Sequence, residues 1–364
     1  MRRMTVGEIR DCLAEGSPVQ EADLSGLDLS GEDLSGGIFI DVVGEGTRFC
    51  EAGLDRALFR NARLSKADFS KARLDRASFV DCDLSGGLFG GALAPESRWV
   101  NPRLSGCRFS GSLLGKAAFV KAILESASFP GSDLERAAFV EGIFGETDFS
   151  GCRLVKTSFV GGDLSGCRFA GATFSNPIFV KAVLRGLDFS GMRIPMIQAS
   201  ECDLSMTRWE RASFPLGNFS GSDLSGAVFD GAESEKVLFA EANLGGISAR
   251  GARLPMSSFQ KAAAGGADFT DADLGFAPFT EADLTGANFT GANLAFCDLS
   301  HARLEGALFR GTVLGRANLH KVSEGGADFG GSTRALARES DPERLEAESF
   351  IPRIFDTEEG THAV

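Results

Sequence analysis

Residues 117–140 read AAFVKAILESASFPGSDLERAAFV. Phe119, Leu124, Phe129, Leu134 and Phe139 recur at every fifth position. Two residues before each stands Ala117, Ala122, Ala127, Ser132 or Ala137. The motif AAFV returns after 20 residues. A period of five fits neither the turn of a helix nor the alternation of a strand. The stretch therefore reads as a repeat before any helix or strand is assigned.

The same frame runs through most of the chain. Steps of five from Leu24 to Phe329 give 62 centres, of which 52 are Leu or Phe. Of the 31 Phe, 27 sit in this frame. An inserted loop would shift the phase, and the phase never shifts, so large loops are not expected.

EADLSGLDLSGEDLSG at residues 21–36 and TEADLTGANFTGANL at 280–294 resemble the pentapeptide-repeat family, whose motif is A-(D/N)-L-x-x. The resemblance covers residue 21 to about 331. It implies an all-β chain, a right-handed quadrilateral β-helix with four pentapeptides per coil, each forming one face of a square. The physics agrees. The central Leu or Phe and the small residue two before it point inward; the other positions point out. One coil cannot bury its apolar interior, whereas stacked coils can. Tyr is absent, as suits an enclosed column with no partner for a phenol hydroxyl. Twenty residues per coil predict about 15 coils and a rod ~75 Å long at ~4.8 Å per stacked strand.

Three segments follow: a capping helix within residues 1–20, the solenoid over 21–331, and short helices with a tail over 332–364. Thr5 and Glu8 form a capping box, Gly16 is a stop signal, and Val6, Ile9 and Leu13 share one apolar face. This helix is expected to cover the first coil, because an open end exposes core and strand edge. Ser332 to Glu339 is read as a short helix. Asp341-Pro342 starts a second over 342–350. Phe350, Ile351, Ile354 and Phe355 either cap the last coil or form a dimer contact; some family members dimerise through C-terminal helices. Ala94, Ile194, Ala199, Ser234 and Ala264 replace Leu or Phe at centres, and bulges or kinks are considered there.

The net charge is −13, which argues against direct nucleic-acid binding. Cys82, Cys107, Cys152, Cys167, Cys202 and Cys297 all take the inward small position. They read as buried free thiols in a reducing, cytoplasmic compartment, with neither disulfide nor metal. No secretory signal or membrane span is visible. The three His have no ligand partner at helical or turn spacing, and no phosphate loop stands out. No catalytic, cofactor or metal residue is assigned, and an enzyme is not expected.

Function is then expected on the outer surface. Just before the centres of one face run Arg48, Asp68, Leu88, Arg108, Ser128, Asp148, Arg168, Asp188 and Arg208, an ion-pair ladder of little energetic weight. On another face, Val80, Val100, Val120, Val140, Val160 and Val180 follow the centres of six successive coils. The other three faces mostly carry Ser, Gly, Asp or Glu there. The preceding corner carries Arg56, Arg76, Lys116, Arg136 and Lys156, then Met196, Leu216, Met256, Phe276 and Phe296. An apolar strip with a charged rim suits a protein interface.

Two partner classes follow from the resemblance. The opening helix, ADLSGLDLSG and the Phe/Leu alternation resemble pentapeptide-repeat proteins associated with bacterial type VI secretion. These imply a non-catalytic scaffold that acts as adaptor or immunity protein for a secreted toxin. Members related to quinolone-resistance factors imply instead a DNA mimic that binds gyrase or another type II topoisomerase. The many Arg and near-balanced charge of the repeat depart from that second pattern. A nuclease-binding toxin inhibitor combines both.

Overall fold

The computed structural model describes residues 1–350, and Ile351, Ile354 and Phe355 lie outside them. The chain is a parallel β-solenoid. Ten short strands, from Val19–Gln20 to Gln198–Ser200, stack into one parallel sheet. Each pairs with the strand 20 residues away, as Phe119 does with Phe139. Isolated bridges at the same separation continue to Asn318↔Arg338. The register also passes through the replaced centres, as at Arg73↔Leu93 and Ala263↔Asp283. At Ser234 the ladder is altered, because Phe214 N–H donates to the Ser234 hydroxyl (2.6 Å); elsewhere, as at Ala94 and Ala264, the substituted centre changes the filling of the column and keeps the bridge.

The five-residue unit follows from hydrogen-bond accounting. Phe129 N–H donates to Asp148 O on the next coil (2.7 Å), and Gly131 N–H to Ser150 O (3.1 Å). Ser128 N–H reaches back to Cys107 O (2.9 Å), and Ala127 N–H closes the turn on Leu124 O (2.7 Å). The fifth N–H follows the centre. In regular units it donates to the carboxylate just before that centre, as Ser150 does to Asp148 Oδ1 (2.9 Å) and Ser25 to Asp23 Oδ1 (2.9 Å). This is the reason for Asp or Asn in the motif. Pro130, Pro195, Pro215 and Pro255 occupy the same position and have no N–H to satisfy.

Inside, most Phe centres lie on two opposite faces; Phe144, Phe174 and Phe214 stand on the other two. Rings on one face stack, as Phe119 on Phe139 at 4.8 Å. Rings from opposite faces meet edge-on, as Phe119 and Phe129 at 6.1 Å. Each such pair contributes about 0.5–1.5 kcal/mol beyond its buried area. Several small inward residues that carry a hydroxyl or thiol donate to a carbonyl of the preceding coil, as Thr157 to Leu134 O (2.8 Å) and Cys107 to Leu84 O (3.0 Å), whereas Ser97 and Thr207 donate within their own turn. All six cysteines of the frame are free and buried. Burial pushes the thiols of Cys107, Cys152, Cys167 and Cys297 up to about 12.

Helix α1 (Val6–Ala14) starts on the Thr5–Glu8 capping box and buries Ile9 against the first coil. At the other end, the expected helix over 332–339 is only a single 3₁₀ turn, Arg334–Leu336. Helix α2 (Pro342–Ser349) begins at Asp341, whose carboxylate accepts from the Glu343 and Arg344 N–H groups. Phe350 is 74% exposed, so its ring caps nothing among the described residues. Among those residues, no helix is long and apolar enough to cross a membrane.

Candidate protein-binding surface

Among the described residues, every non-glycine residue with positive φ lies two positions after a centre, at a corner of the square. A side chain in this left-handed region costs roughly 1–3 kcal/mol relative to an ordinary conformation. Gly, Asn, Asp, Lys, Arg and Glu fill most of these corners. The apolar exceptions are Met196, Met206, Leu216, Met256, Phe276 and Phe296. Five of these six share the corner predicted above, and there they are 40–58% exposed. Phe276 stacks on Phe296 at 4.7 Å, and the Arg316 guanidinium sits 5.6 Å from the Phe296 ring. Lys236 interrupts the series between Leu216 and Met256. The result is an apolar ridge with cationic punctuation, ~24 Å long at one coil per ~4.8 Å.

The earlier part of this corner is less uniformly basic than its cations suggest. Glu96 stands in the same row and pairs with both Arg76 and Lys116, at 2.9 Å each. Arg56, Arg136 and Lys156 make no ion pair among the described residues. In the predicted ladder, Arg48 meets Asp28 at 3.2 Å and Arg168 meets Asp148 at 3.3 Å. Both arginines are more than half exposed, so these pairs add little.

Val80 to Val180 are half-buried and stand in register, each opposite the next. Their backbone explains their identity. On this face the residue after each centre ends a three-residue strand, Ser78–Val80 through Ile178–Val180. Elsewhere the same position usually lies in a turn. The strand Arg153–Val155, on a neighbouring face, also ends in Val. β-branched side chains suit strands, so local conformation selects Val here. The strip's value as a surface rests on its shape and rim, not on the choice of Val.

A further cluster joins residues far apart in sequence. His301 and His320, on adjacent coils, each place Nε2 3.4 Å from the Glu348 carboxylate of α2. Both histidines occupy outward positions of the repeat, yet α2 leaves His320 only 2% exposed. None of these residues is at helical or turn spacing from another, yet the three donor atoms lie within 4.8 Å of one another. The hydrogen bonds still do not fit a metal. Asp341 N–H donates to His320 Nδ1 (3.2 Å), so a neutral ring carries its proton on Nε2, facing Glu348. Lys321 and Arg344 also hold that carboxylate, at 3.3 and 2.9 Å. Burial opposes its ionisation, but hydrogen bonds from Lys321, His320 and Arg344 prevail and bring it down to about 2. The cluster is a latch that fastens α2 to the last coils.

Comparison with known proteins agrees with this architecture. The profile of pentapeptide repeats matches residues 52–91, 103–171, 197–255 and 257–333. The chain belongs to the pentapeptide-repeat family. Among solved structures, it is similar to HetL from the cyanobacterium Nostoc sp. strain PCC 7120, a pentapeptide repeat protein involved in heterocyst differentiation regulation. The identity is 20% over 93% of this chain and 98% of HetL, with a TM-score of 0.21. It is also similar to QnrB1, a plasmid-mediated fluoroquinolone resistance protein, at 18% identity over 75% of this chain and 89% of that one (TM-score 0.23). No curated protein sequence matches the chain.

Proposed function

We propose that this chain is a non-catalytic protein-binding scaffold whose partner docks on the apolar corner from Met196 to Phe296. The observation that carries this reading is the placement of exposed apolar side chains at left-handed corners. The column gains no buried area from Phe276 at 58% exposure, and a corner glycine would avoid the backbone cost. The cations Lys236 and Arg316 supply the charged margin that protein interfaces carry. An adaptor or immunity protein for a secreted toxin is the form of this function that the sequence resemblance implies.

The test compares proteins captured from the native host by the wild type and by the double variant Phe276→Asp/Phe296→Asp. A specific partner should be retained by the wild type, be identified by mass spectrometry, and be lost with the double variant. Equal capture by both would end the claim for this corner. A parallel titration against DNA gyrase separates the scaffold from the mimic. Supercoiling should continue undiminished, and its inhibition would make a topoisomerase the partner.

A further inference from the structure

The strand face between Ser78 and Val180 has two outward columns. One holds Val80, Val100, Val120, Val140, Val160 and Val180. The other holds Ser78, Arg98, Ala118, Ala138, Ser158 and Ile178, so its middle is occupied by small residues. The columns run along the rod on either side of the inward Phe series. Such a face is raised along the Val side and lowered along Ala118, Ala138 and Ser158, with Arg98 and Ile178 standing on either side of that low stretch.

We propose that this face pairs two copies of the chain, side by side and parallel, about a two-fold axis along the rod. Shape and charge select that arrangement independently. A two-fold axis along the rod exchanges the columns, so the Val side of one copy rests on the Ala118–Ala138–Ser158 side of the other. A two-fold axis across the rod would set Val against Val and leave a gap above the small column. Facing sheets interdigitate when large residues meet small ones.

The rims give the same answer. One corner of the face carries Arg76 and Arg136; the opposite corner carries Asp81 and Glu141 at nearly the same heights. The parallel pairing brings Arg76 toward Asp81 of the second copy and Arg136 toward Glu141 of the second copy. Arg136 makes no ion pair within its own chain among the described residues, its neighbours Asp133 and Glu135 being held by Arg153. Lys116 and Lys121 also come opposite each other, each paired within its chain, to Glu96 and Glu141; Arg76 likewise shares Glu96, so the Arg136–Glu141 contact is the one that supplies a cation with its first partner. The crossed arrangement would instead oppose the cationic corner to itself.

Six strands at ~4.8 Å and a width of five residues give about 1,000 Å² of total interface, near the lower limit for specific association. The expected dimer is therefore concentration-dependent. This proposal goes beyond the scaffold reading and does not use the apolar corner.

Sedimentation equilibrium of the full chain over a concentration series tests it. The wild type should dimerise reversibly. Arg136→Glu and Glu141→Arg should each weaken the dimer at least tenfold, because each places like charges together twice. An equimolar mixture of the two variants should recover association as a heterodimer. Glu already occupies corners of this rod, as at Glu96, so circular dichroism should show both variants folded. A wild type that stays monomeric throughout overturns the proposal. So does a dimer that neither single variant weakens, or a mixture that stays as weak as its components. Phe276→Asp/Phe296→Asp should leave the dimer unchanged, which separates failure here from failure of the partner site.

Discussion

Trp209 is fully buried, and its indole N–H must find an acceptor inside an otherwise apolar column. Thr207 Oγ1, two residues earlier at the small inward position, accepts at 2.9 Å. Ser97 does the same for Trp99, also at 2.9 Å. Thr207→Val should therefore cost about 1–3 kcal/mol, the price of an unsatisfied buried donor. Thr207→Ser should cost much less. Urea unfolding followed by tryptophan fluorescence distinguishes the two, and equal losses would mean that the hydrogen bond is unimportant. The thiols make a second case. Cys12 and Cys50 are half-buried and the other six are buried. A thiol reagent at pH 8 should label at most those two in the native protein, and all eight after denaturation. Early labelling of Cys107 or Cys297 would contradict the closed column. Raised thiol pKa values also predict alkaline weakening. Above the ordinary value of 9.0 the unfolded chain loses protons that the folded chain keeps up to about 12, so stability falls as pH rises through that window. At this scale the sequence was highly legible, because the pentapeptide frame assigns each side chain inside or out. Phe276, Phe296, Phe350 and Phe355 are the four Phe that the frame leaves over.

Helix α1 was legible because its signals are local: Thr5 and Glu8 sit three residues apart and satisfy each other's backbone groups. Helix α2 was only half legible. Its start at Asp341-Pro342 is local, but its docking depends on His301 and His320, which reach Glu348 across 47 and 28 residues. No spacing rule links these positions before the last coils are stacked. The identity of the Val strip has a conformational source that residue types alone do not reveal: one face is strand while its neighbours mostly turn. The α2 latch can be tested by Glu348→Gln, which removes the charge that Lys321, Arg344 and the two His ring nitrogens surround. Hydrogen exchange of residues 341–350 should accelerate at least tenfold while coils near residue 200 keep their protection. Unchanged exchange would show that α2 is held by something else. Lowering the pH should have the same local effect. A carboxylate depressed from 4.5 to about 2 stabilises the docked helix fully above the higher value and loses that contribution as pH falls toward the lower. Protection of α2 should therefore decay between these limits.

For the whole molecule, the 20-residue coil is the unit that sequence changes must respect, because each coil rests only on its neighbours. Residues 101–120 form one such coil, and removing them joins Val100 to Lys121, reproducing the native Val120–Lys121 junction. Every later residue keeps its face. The Phe stacks reclose, with Trp99 meeting Phe139 where it had met Phe119, and hydrogen-bond partners are replaced in kind. Removing only residues 101–105 deletes one face instead. Phe109 then falls where Leu104 stood, and every later Phe is turned by a quarter of the square onto a Leu face. Both stacks are cut at that point, and facing small and large positions no longer match. The longer deletion should consequently be the milder one. It should retain a cooperative thermal transition and a β-rich circular dichroism spectrum scaled to its length. The five-residue deletion should lose cooperativity or split into two transitions at the cut. If the short deletion folded as well as the long one, the aromatic stacks would not set the register of the rod, and pairing of the backbone alone would be enough.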